Sequence, residues 1–279
     1  MEVKRGRGSD IKWKSLCPNG SEWFSGTCSL FDLKFEKFSD KEIAEKLSLI
    51  LYEACRLNSD FLSQWYGFKV TTQLEFDRNW GLGSSSSLVY CIAQWADVEP
   101  YELYDRTFGG SGYDIACAKS DSPLLYTRKE EEIKINYVDF DPEFKNQLYF
   151  VYLGQKKNSA EALTYFEKFK SKVSNGIIDE VSLFSRSIAN AQSLEEFCNL
   201  LNESENLIEK ELKLSRIQKE KFNDFEGTVK SLGAWGGDFV LAASALPDQY
   251  VTKYFNDLGL NTVIPYSELA NSKKQVQFA

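Results

Sequence analysis

Apolar and polar positions alternate through the first part of the chain and mark short β-strands there. Residues 10–35 alternate on both sides of a turn at residues 17–20, which predicts a β-hairpin. After Asp40 the apolar side chains instead recur with helical spacing, and aspartate is a favoured helix cap. We therefore expect a helix from Asp40 to about Leu62, a strand at residues 67–76 and a helical segment at residues 88–95.

The pattern of predicted elements changes near residue 143. Before this point a short helix is expected from Pro100, and strands are expected at residues 124–128 and 133–138. Beyond it, a strand at residues 147–153 precedes a mostly helical stretch that ends in a strand-loop-strand pattern at residues 229–242. The remaining predicted elements are helices at residues 159–172, 177–191, 194–214, 218–225 and 248–258 and a strand at residues 262–265. This pattern predicts an α+β fold with two domains, residues 1–143 and 144–279.

Composition narrows the possible chemistry. Hydrophobic residues make up 43% and charged residues 27% of the chain, as in ordinary globular proteins. The longest apolar runs are too short to cross a bilayer, so we expect a cytoplasmic protein without a membrane partner. The net charge of −8 argues against nucleic acid as a partner. The six cysteines include no CxxC pair, and the chain has no histidine, which excludes Ser-His-Asp triads, Cys-His pairs and histidine-ligated zinc.

Glycine and serine are concentrated in a first cluster at residues 81–87, where a helix is expected to begin. Backbone N–H groups, the positive end of a helix dipole and several hydroxyls would meet there, which favours an anion such as phosphate. The cluster lacks the Gly-Lys-Ser/Thr of a Walker A loop and the third glycine of a Rossmann fingerprint. On composition alone, a flexible turn with a serine cap explains it equally well.

Two further glycine clusters follow. In the second, at residues 110–114, Asp114 comes just after a tight turn. It is either a helix cap or a carboxylate that orients a hydroxyl nucleophile or accepts its proton. The third cluster, at residues 233–237, would let the backbone approach a ligand closely, or is a bulge or tight turn.

The order of the three clusters resembles that of GHMP kinases, the superfamily that contains mevalonate and homoserine kinases. The motifs are Gly-Leu-Gly-Ser-Ser-Ser-Ser (81–87), Gly-Ser-Gly-Tyr-Asp (110–114) and Lys-Ser-Leu-Gly-Ala-Trp-Gly-Gly (230–237). The second is similar to the Pro-Ser-Gly-x-Asp of mevalonate kinases, and residues 153–163 look like the family's inter-domain strand and the helix that follows it. The resemblance covers the chain from about residue 67 to its end.

This resemblance implies a ribosomal protein S5 domain 2-like N-terminal domain, a ferredoxin-like C-terminal domain, and ATP, Mg²⁺ and a small-molecule hydroxyl substrate as ligands. Asp114 would be the catalytic aspartate, and Ser111, Gly112 and Tyr113 would bind the substrate. Ser85 would ligate Mg²⁺ together with Glu102, with Asp105 as the alternative to Glu102. The residues that would bind the nucleotide are Gly81, Leu82, Gly83, Ser84, Ser85, Ser86, Gly233, Ala234, Gly236 and Gly237.

The sequence departs from the family pattern in two ways. Trp235 and Asp238 stand where the family usually has small residues. An early Gly-Lys-x-x-Leu-x-Gly-Glu segment, which carries a phosphate-facing lysine in mevalonate kinases, is not found. We therefore expect the natural reading frame to extend upstream of Met1 and to encode such a segment.

The leading hypothesis is an ATP-dependent kinase that transfers the γ-phosphate to a hydroxyl of a small metabolite, in the manner of mevalonate kinase. Phosphoryl transfer requires mainly that the protein position the reactants and stabilise their charge, which a chain without histidine can do. The alternative is a catalytically impaired nucleotide-binding or interaction protein on the same fold. A weaker alternative is a sugar- or acid-binding protein that uses the glycine loops without nucleotide. The pattern predicts no oligomeric state.

Overall fold

The computed structural model describes residues 1–129, 132–154, 168, 173–233 and 237–270. The chain forms two compact units, which are described separately. The first unit comprises Met1–Arg78, Leu82–Asp121 and Tyr126–Ile135, and the second comprises Asn79–Gly81, Ser122–Leu125 and Asn136–Ala279.

A five-stranded sheet forms one layer of the first unit. Its strands are β1 (Glu2–Arg5), β2 (Asp10–Leu16), β3 (Glu22–Ser29), β4 (Phe35–Phe38) and β5 (Phe68–Gln73), in the order β1-β5-β2-β3-β4. Strands β2 and β5 are parallel, and the other neighbours are antiparallel. The β2–β3 pair confirms the predicted hairpin, and its turn is closed by the N–H of Gly20 donating to the carbonyl of Cys17 at 2.9 Å.

Helices pack on this sheet and bury its apolar face. They are α1 (Lys41–Leu57), α2 (Ser84–Ala96), α3 (Pro100–Thr107) and α4 (Tyr113–Lys119). The carboxylate of Asp40 accepts from the N–H of Ile43 at 3.1 Å and caps α1 as expected. Helix α1 ends before the predicted Leu62, because Asn58 leaves the helical conformation and its side-chain amide donates to the carbonyl of Ala96 at 2.7 Å. This bond joins the C-terminal ends of α1 and α2.

Helix α2 begins four residues earlier than the predicted start at residue 88, directly after the glycines of the first cluster. The described part of the chain also contains a two-stranded sheet of β6 (Leu124–Lys129) and β7 (Glu132–Tyr137). Strand β6 places Tyr126 and Arg128 in the first unit.

The second unit is built on a four-stranded antiparallel sheet in the order β11-β8-β10-β9. Its strands are β8 (Leu148–Tyr152), β9 (Thr228–Ser231), β10 (Phe239–Ala243) and β11 (Val263–Pro265). All five residues of β10 are buried, as expected for a central strand. The described helices are α5 (Asn175–Ala189), α6 (Leu194–Leu212), α7 (Ile217–Lys221), α8 (Asp248–Asp257) and α9 (Tyr266–Leu269).

Most predicted elements of this half are present, with two exceptions. Helix α7 ends at Lys221 rather than near residue 225, because Phe222 and Phe225 form a turn that buries both rings in the core. The predicted helix at residues 159–172 lies outside the described residues. The mixed α and β class is confirmed, whereas the S5-like and ferredoxin-like assignments and the domain limits stay predictions. Among the described helices, none is long and apolar enough to cross a membrane.

Candidate functional site

The first turn of α2 contains the glycines and serines for which the sequence predicts an anion site. Gly83 occupies the N-cap position with a φ of +72°, a left-handed conformation that strains residues with side chains. Glycine offers no side-chain oxygen to the N–H groups of the first turn, and the N–H of Ser87 is the one that bonds back to Gly83. The positive end of the helix dipole of this 13-residue helix therefore has no capping side chain.

The serines of this turn differ in their surroundings. Ser85 is exposed and Ser84 is half-buried, but Ser86 is only 4% exposed. The hydroxyl of Ser86 hydrogen-bonds to Tyr104 of α3, and this bond opposes the burial that raises the pKa of Tyr104. The side chain of Ser85 is thus open to a ligand, whereas that of Ser86 joins α2 to α3.

Asp114 lies beside this turn. A Cβ atom added to Gly83 would be 3.7 Å from Oδ1 of Asp114, so the first two glycine motifs come together within the first unit. Gly112, with a φ of +78°, is the N-cap of α4, and Asp114 is in the first helical turn rather than at the cap. Burial raises the pKa of Asp114, and the hydrogen bond with Tyr113 opposes this rise.

Tyrosine rings surround the loop of residues 109–112, which precedes Asp114. A Cβ atom on the buried Gly112 would be 3.2 Å from Cδ1 of Tyr101 and 3.3 Å from the hydroxyl of Tyr126. A Cβ atom on Gly110 would be 3.4 Å from the hydroxyl of Tyr104. Small residues are therefore required where this loop passes the aromatic rings.

The candidate substrate-binding residues lie on this loop and at the start of α4. The side chains of Ser111 and Tyr113 are exposed, and the N–H of Tyr113 donates to Oγ of Ser111 at 3.5 Å. The carbonyl of Ser111 accepts from the hydroxyl of Tyr126 at 2.6 Å.

Both candidate second metal ligands on α3 form ion pairs with arginine. Glu102 lies 2.7 Å from Arg106 one turn later in the same helix. Asp105 is held by Arg128 of β6 at 2.8 Å. Within the described ranges there is no cluster of three or more acidic, cysteine or histidine side chains that could hold a metal.

Gly81, Gly233 and Gly237 lie in the second unit, where residues 79–81 contact Asp238 and Phe239. A Cβ atom on Gly81, whose φ is +62°, would be 1.5 Å from Oδ2 of Asp238. The ring of Trp80 meets that of Phe239 edge-on at 5.7 Å. The start of the first cluster is thus fixed against the beginning of β10.

In the third cluster itself, a Cβ atom on Gly237 would be 2.2 Å from the carbonyl oxygen of Leu232, which identifies a tight turn. Gly233 has a φ of +70° and open space around it. Ala234 and Gly236 lie outside the described residues, as does Trp235. Leu82, where the chain passes into the first unit, is half-buried.

Three residues that shape this site were not predicted from the sequence pattern: Tyr104, Tyr126 and Arg128. Tyr104 has the helical spacing of an ordinary core residue, and Tyr126 and Arg128 stand on a strand outside any glycine cluster. Their role depends on contacts between elements, which local patterns do not encode.

No protein-family model and no curated protein matches the chain. Solved structures do match. L. major mevalonate kinase in complex with R-mevalonate has a TM-score of 0.62 at 16% identity, covering 94% of this chain and 83% of that chain. Streptococcus pneumoniae phosphomevalonate kinase in complex with phosphomevalonate and AMPPNP has a TM-score of 0.62 at 17% identity, covering 94% and 88%. A Lin0012 protein from Listeria innocua has a TM-score of 0.67 at 14% identity, covering 94% and 87%.

The chain has a mevalonate-kinase-like GHMP kinase fold. This confirms the resemblance drawn from the three glycine motifs. At these identities the likeness concerns the fold, and the roles of individual residues rest on the geometry of the site.

Replacing Gly81 with alanine tests the contact with Asp238. Both Gly81→Ala and the control Gly233→Ala place a side chain at positive φ, which costs about 1 kcal/mol. Only Gly81→Ala also forces Asp238 to move, so we expect it to lower the free energy of unfolding in urea by more than the control does. The double variant Gly81→Ala/Asp238→Ala should recover the difference. Equal losses for both single variants would show that the contact with Asp238 does not constrain Gly81.

Proposed function

We propose that the chain is an ATP-dependent kinase that transfers the γ-phosphate to a hydroxyl of a small metabolite. The observation that carries this proposal is the 3.7 Å approach of the Asp114 carboxylate to the Cβ position of Gly83, at the start of α2. An anion site and a candidate base in one place are what phosphoryl transfer to an alcohol requires.

The first turn of α2 is proposed to bind the phosphates of the nucleotide. Its backbone N–H groups and the helix dipole favour negative charge, and Gly83 lets a ligand approach the backbone. The exposed hydroxyl of Ser85 supplies a further polar contact. That the phosphomevalonate kinase of similar fold was solved with AMPPNP supports ATP as the nucleotide.

Asp114 is proposed to orient the substrate hydroxyl and to accept its proton. Burial raises the pKa of Asp114, which makes its carboxylate a stronger base than an exposed aspartate. The exposed Ser111 on the loop and the exposed Tyr113 at the start of α4 precede it in the chain and are the proposed contacts for the alcohol. Neighbours of the same fold bind mevalonate and phosphomevalonate, which supports a small hydroxylated metabolite as the substrate class.

Ser85 and one carboxylate of α3 are proposed as ligands of Mg²⁺, which usually takes one or two protein oxygens and completes its shell with phosphate and water. When bound, the ion would neutralise part of the phosphate charge. Glu102 is available only if it leaves Arg106, and Asp105 only if it leaves Arg128.

A second candidate function follows from these ion pairs. If neither Glu102 nor Asp105 leaves its arginine, the chain would bind nucleotide without turnover. Calorimetry with Mg-ATP and ADP release against a panel of hydroxy acids and sugars separate the two. Binding with ADP release supports the kinase, binding alone supports the second candidate, and no binding contradicts both.

Replacing Asp114 with asparagine tests its role as base. We expect kcat to fall by roughly 10²-fold or more with little change in the KM for ATP, because the nucleotide contacts remain. An unchanged kcat in a folded variant would remove the assignment.

The raised pKa of Asp114 gives two further expected results. Activity needs the ionised carboxylate, so the acid limb of the kcat/KM profile should lie above the ordinary aspartate pKa of about 3.9.

The raised pKa of Asp114 also affects stability, because the folded state favours the protonated carboxyl. The free energy of unfolding therefore falls as pH rises through the raised pKa. Asp114→Asn should therefore unfold at pH 7 no more easily than the wild type, and marked destabilisation would indicate a structural role.

Replacing Ser85 with alanine tests the phosphate contact, with Ser86→Ala as the matched control. We expect Ser85→Ala to weaken the Kd for Mg-ATP by about tenfold with the melting temperature unchanged, because Ser85 is exposed. Ser86→Ala should instead cost about 1 kcal/mol of stability, since it removes the bond to Tyr104. Equal Mg-ATP affinity in wild type and Ser85→Ala would contradict the assignment.

A further inference from the structure

Arg128 of β6 contacts the loop that leads to Asp114. Its guanidinium forms a two-pronged ion pair with Asp105 of α3, with Nη1 at 3.2 Å and Nη2 at 2.8 Å from the carboxylate oxygens. The same Nη1 donates to the carbonyls of Gly110 at 3.0 Å and Ser111 at 3.4 Å. One side chain thus joins β6, α3 and the 109–112 loop.

The loop needs such support because of its backbone. Gly109, Gly110 and Gly112 have φ angles of +66°, +113° and +78°, so three of its four residues occupy conformations that are accessible mainly to glycine. A glycine-rich backbone has many alternative conformations to lose. Hydrogen bonds to its carbonyls from outside the loop select one of them.

The orientation of the loop determines where Asp114 lies. The carbonyl of Gly112 accepts from the N–H groups of Ile115 at 3.1 Å and Ala116 at 3.2 Å, so it forms the beginning of α4. A shift of the loop would move that turn together with the Asp114 carboxylate. Misplacement of a reacting group by about 1 Å can cost 10²-fold in rate.

We propose that Arg128, fixed by Asp105, is a positioning residue that holds the 109–112 loop so that Asp114 faces the start of α2. The inference rests on the proposed kinase function for its catalytic consequence. Tyr126 assists from the same strand, because its hydroxyl donates to the Ser111 carbonyl at 2.6 Å. Lysine cannot replace Arg128, because only the planar guanidinium fork can bind the carboxylate through two nitrogens while also reaching the carbonyls.

The test compares Arg128→Ala with Arg56→Ala, a control that removes an arginine ion pair with Glu53 on α1 of the same unit. We expect Arg128→Ala to lower kcat by about 10- to 100-fold, with the Kd for Mg-ATP changed less than about twofold. Arg128→Lys should show most of the same loss. Added guanidinium ion should restore part of the kcat of Arg128→Ala but none of that of Asp114→Asn, because it refills the missing contacts.

Hydrogen exchange provides a readout that is independent of activity. Amides of residues 109–116 should exchange faster in Arg128→Ala than in the wild type and should be unchanged in Arg56→Ala. If the wild type releases no ADP with any acceptor, the kinase proposal fails, and the exchange data alone decide whether Arg128 holds the loop.

If the wild type is active, two results for Arg128→Ala would contradict the proposal. An unchanged kcat in Arg128→Ala, or a loss that guanidinium does not restore and that follows general destabilisation, would overturn the positioning role. If Arg128→Ala does not fold, Tyr126→Phe removes one bond to the same loop and should lower kcat by roughly threefold to tenfold at constant Mg-ATP affinity. An unchanged kcat in that variant would equally overturn the proposal.

Discussion

Two packed helices that both begin at a left-handed glycine determine the candidate site. Gly83 precedes α2 and Gly112 precedes α4, each at the N-cap, each at positive φ and each without a capping side chain. Because a side chain is strained at positive φ, these sharp starts depend on glycine. The result is that Asp114, in the first turn of α4, lies next to the first turn of α2. The start of α2, where an anion site is proposed, and the Asp114 carboxylate are therefore brought together by one backbone arrangement.

This arrangement places opposing electrostatic effects on Asp114. Burial disfavours its charge, while Tyr113 donates a hydrogen bond that favours it. A phosphate at α2 would add a like charge close to the carboxylate and would raise its pKa further. A cation between the two groups would relieve that repulsion, which is why an exposed hydroxyl at Ser85 matters for the proposed function. Ser86 cannot serve in the same way, because its side chain is buried against Tyr104.

The sequence predicted those features that depend on local pattern. The hairpin turn at residues 17–20, the Asp40 cap and the order of the glycine clusters are all readable from neighbouring residues. The end of α1 was predicted too late, because the Asn58 bond to Ala96 joins distant segments. The tyrosines around the loop and the Arg128 contacts escaped prediction for the same reason. The packing of Asp238 against Gly81 also spans more than 150 residues of chain, and no local pattern reports such a contact.

The two arginine pairs on α3 differ in a way that bears on catalysis. Glu102 is 52% exposed and pairs with Arg106 one helical turn away, an arrangement worth about 0.3–0.5 kcal/mol. Such a pair can open at little cost when a stronger cation arrives. Asp105 is bound through two nitrogens to Arg128, which is only 23% exposed and also holds the loop carbonyls. Releasing Asp105 would loosen Arg128 and with it the proposed support of the 109–112 loop, so Asp105 is the less suitable candidate for the metal ligand. Glu102 can leave its arginine without disturbing the Arg128 contacts, so Glu102 rather than Asp105 suits the second metal ligand of the proposed kinase.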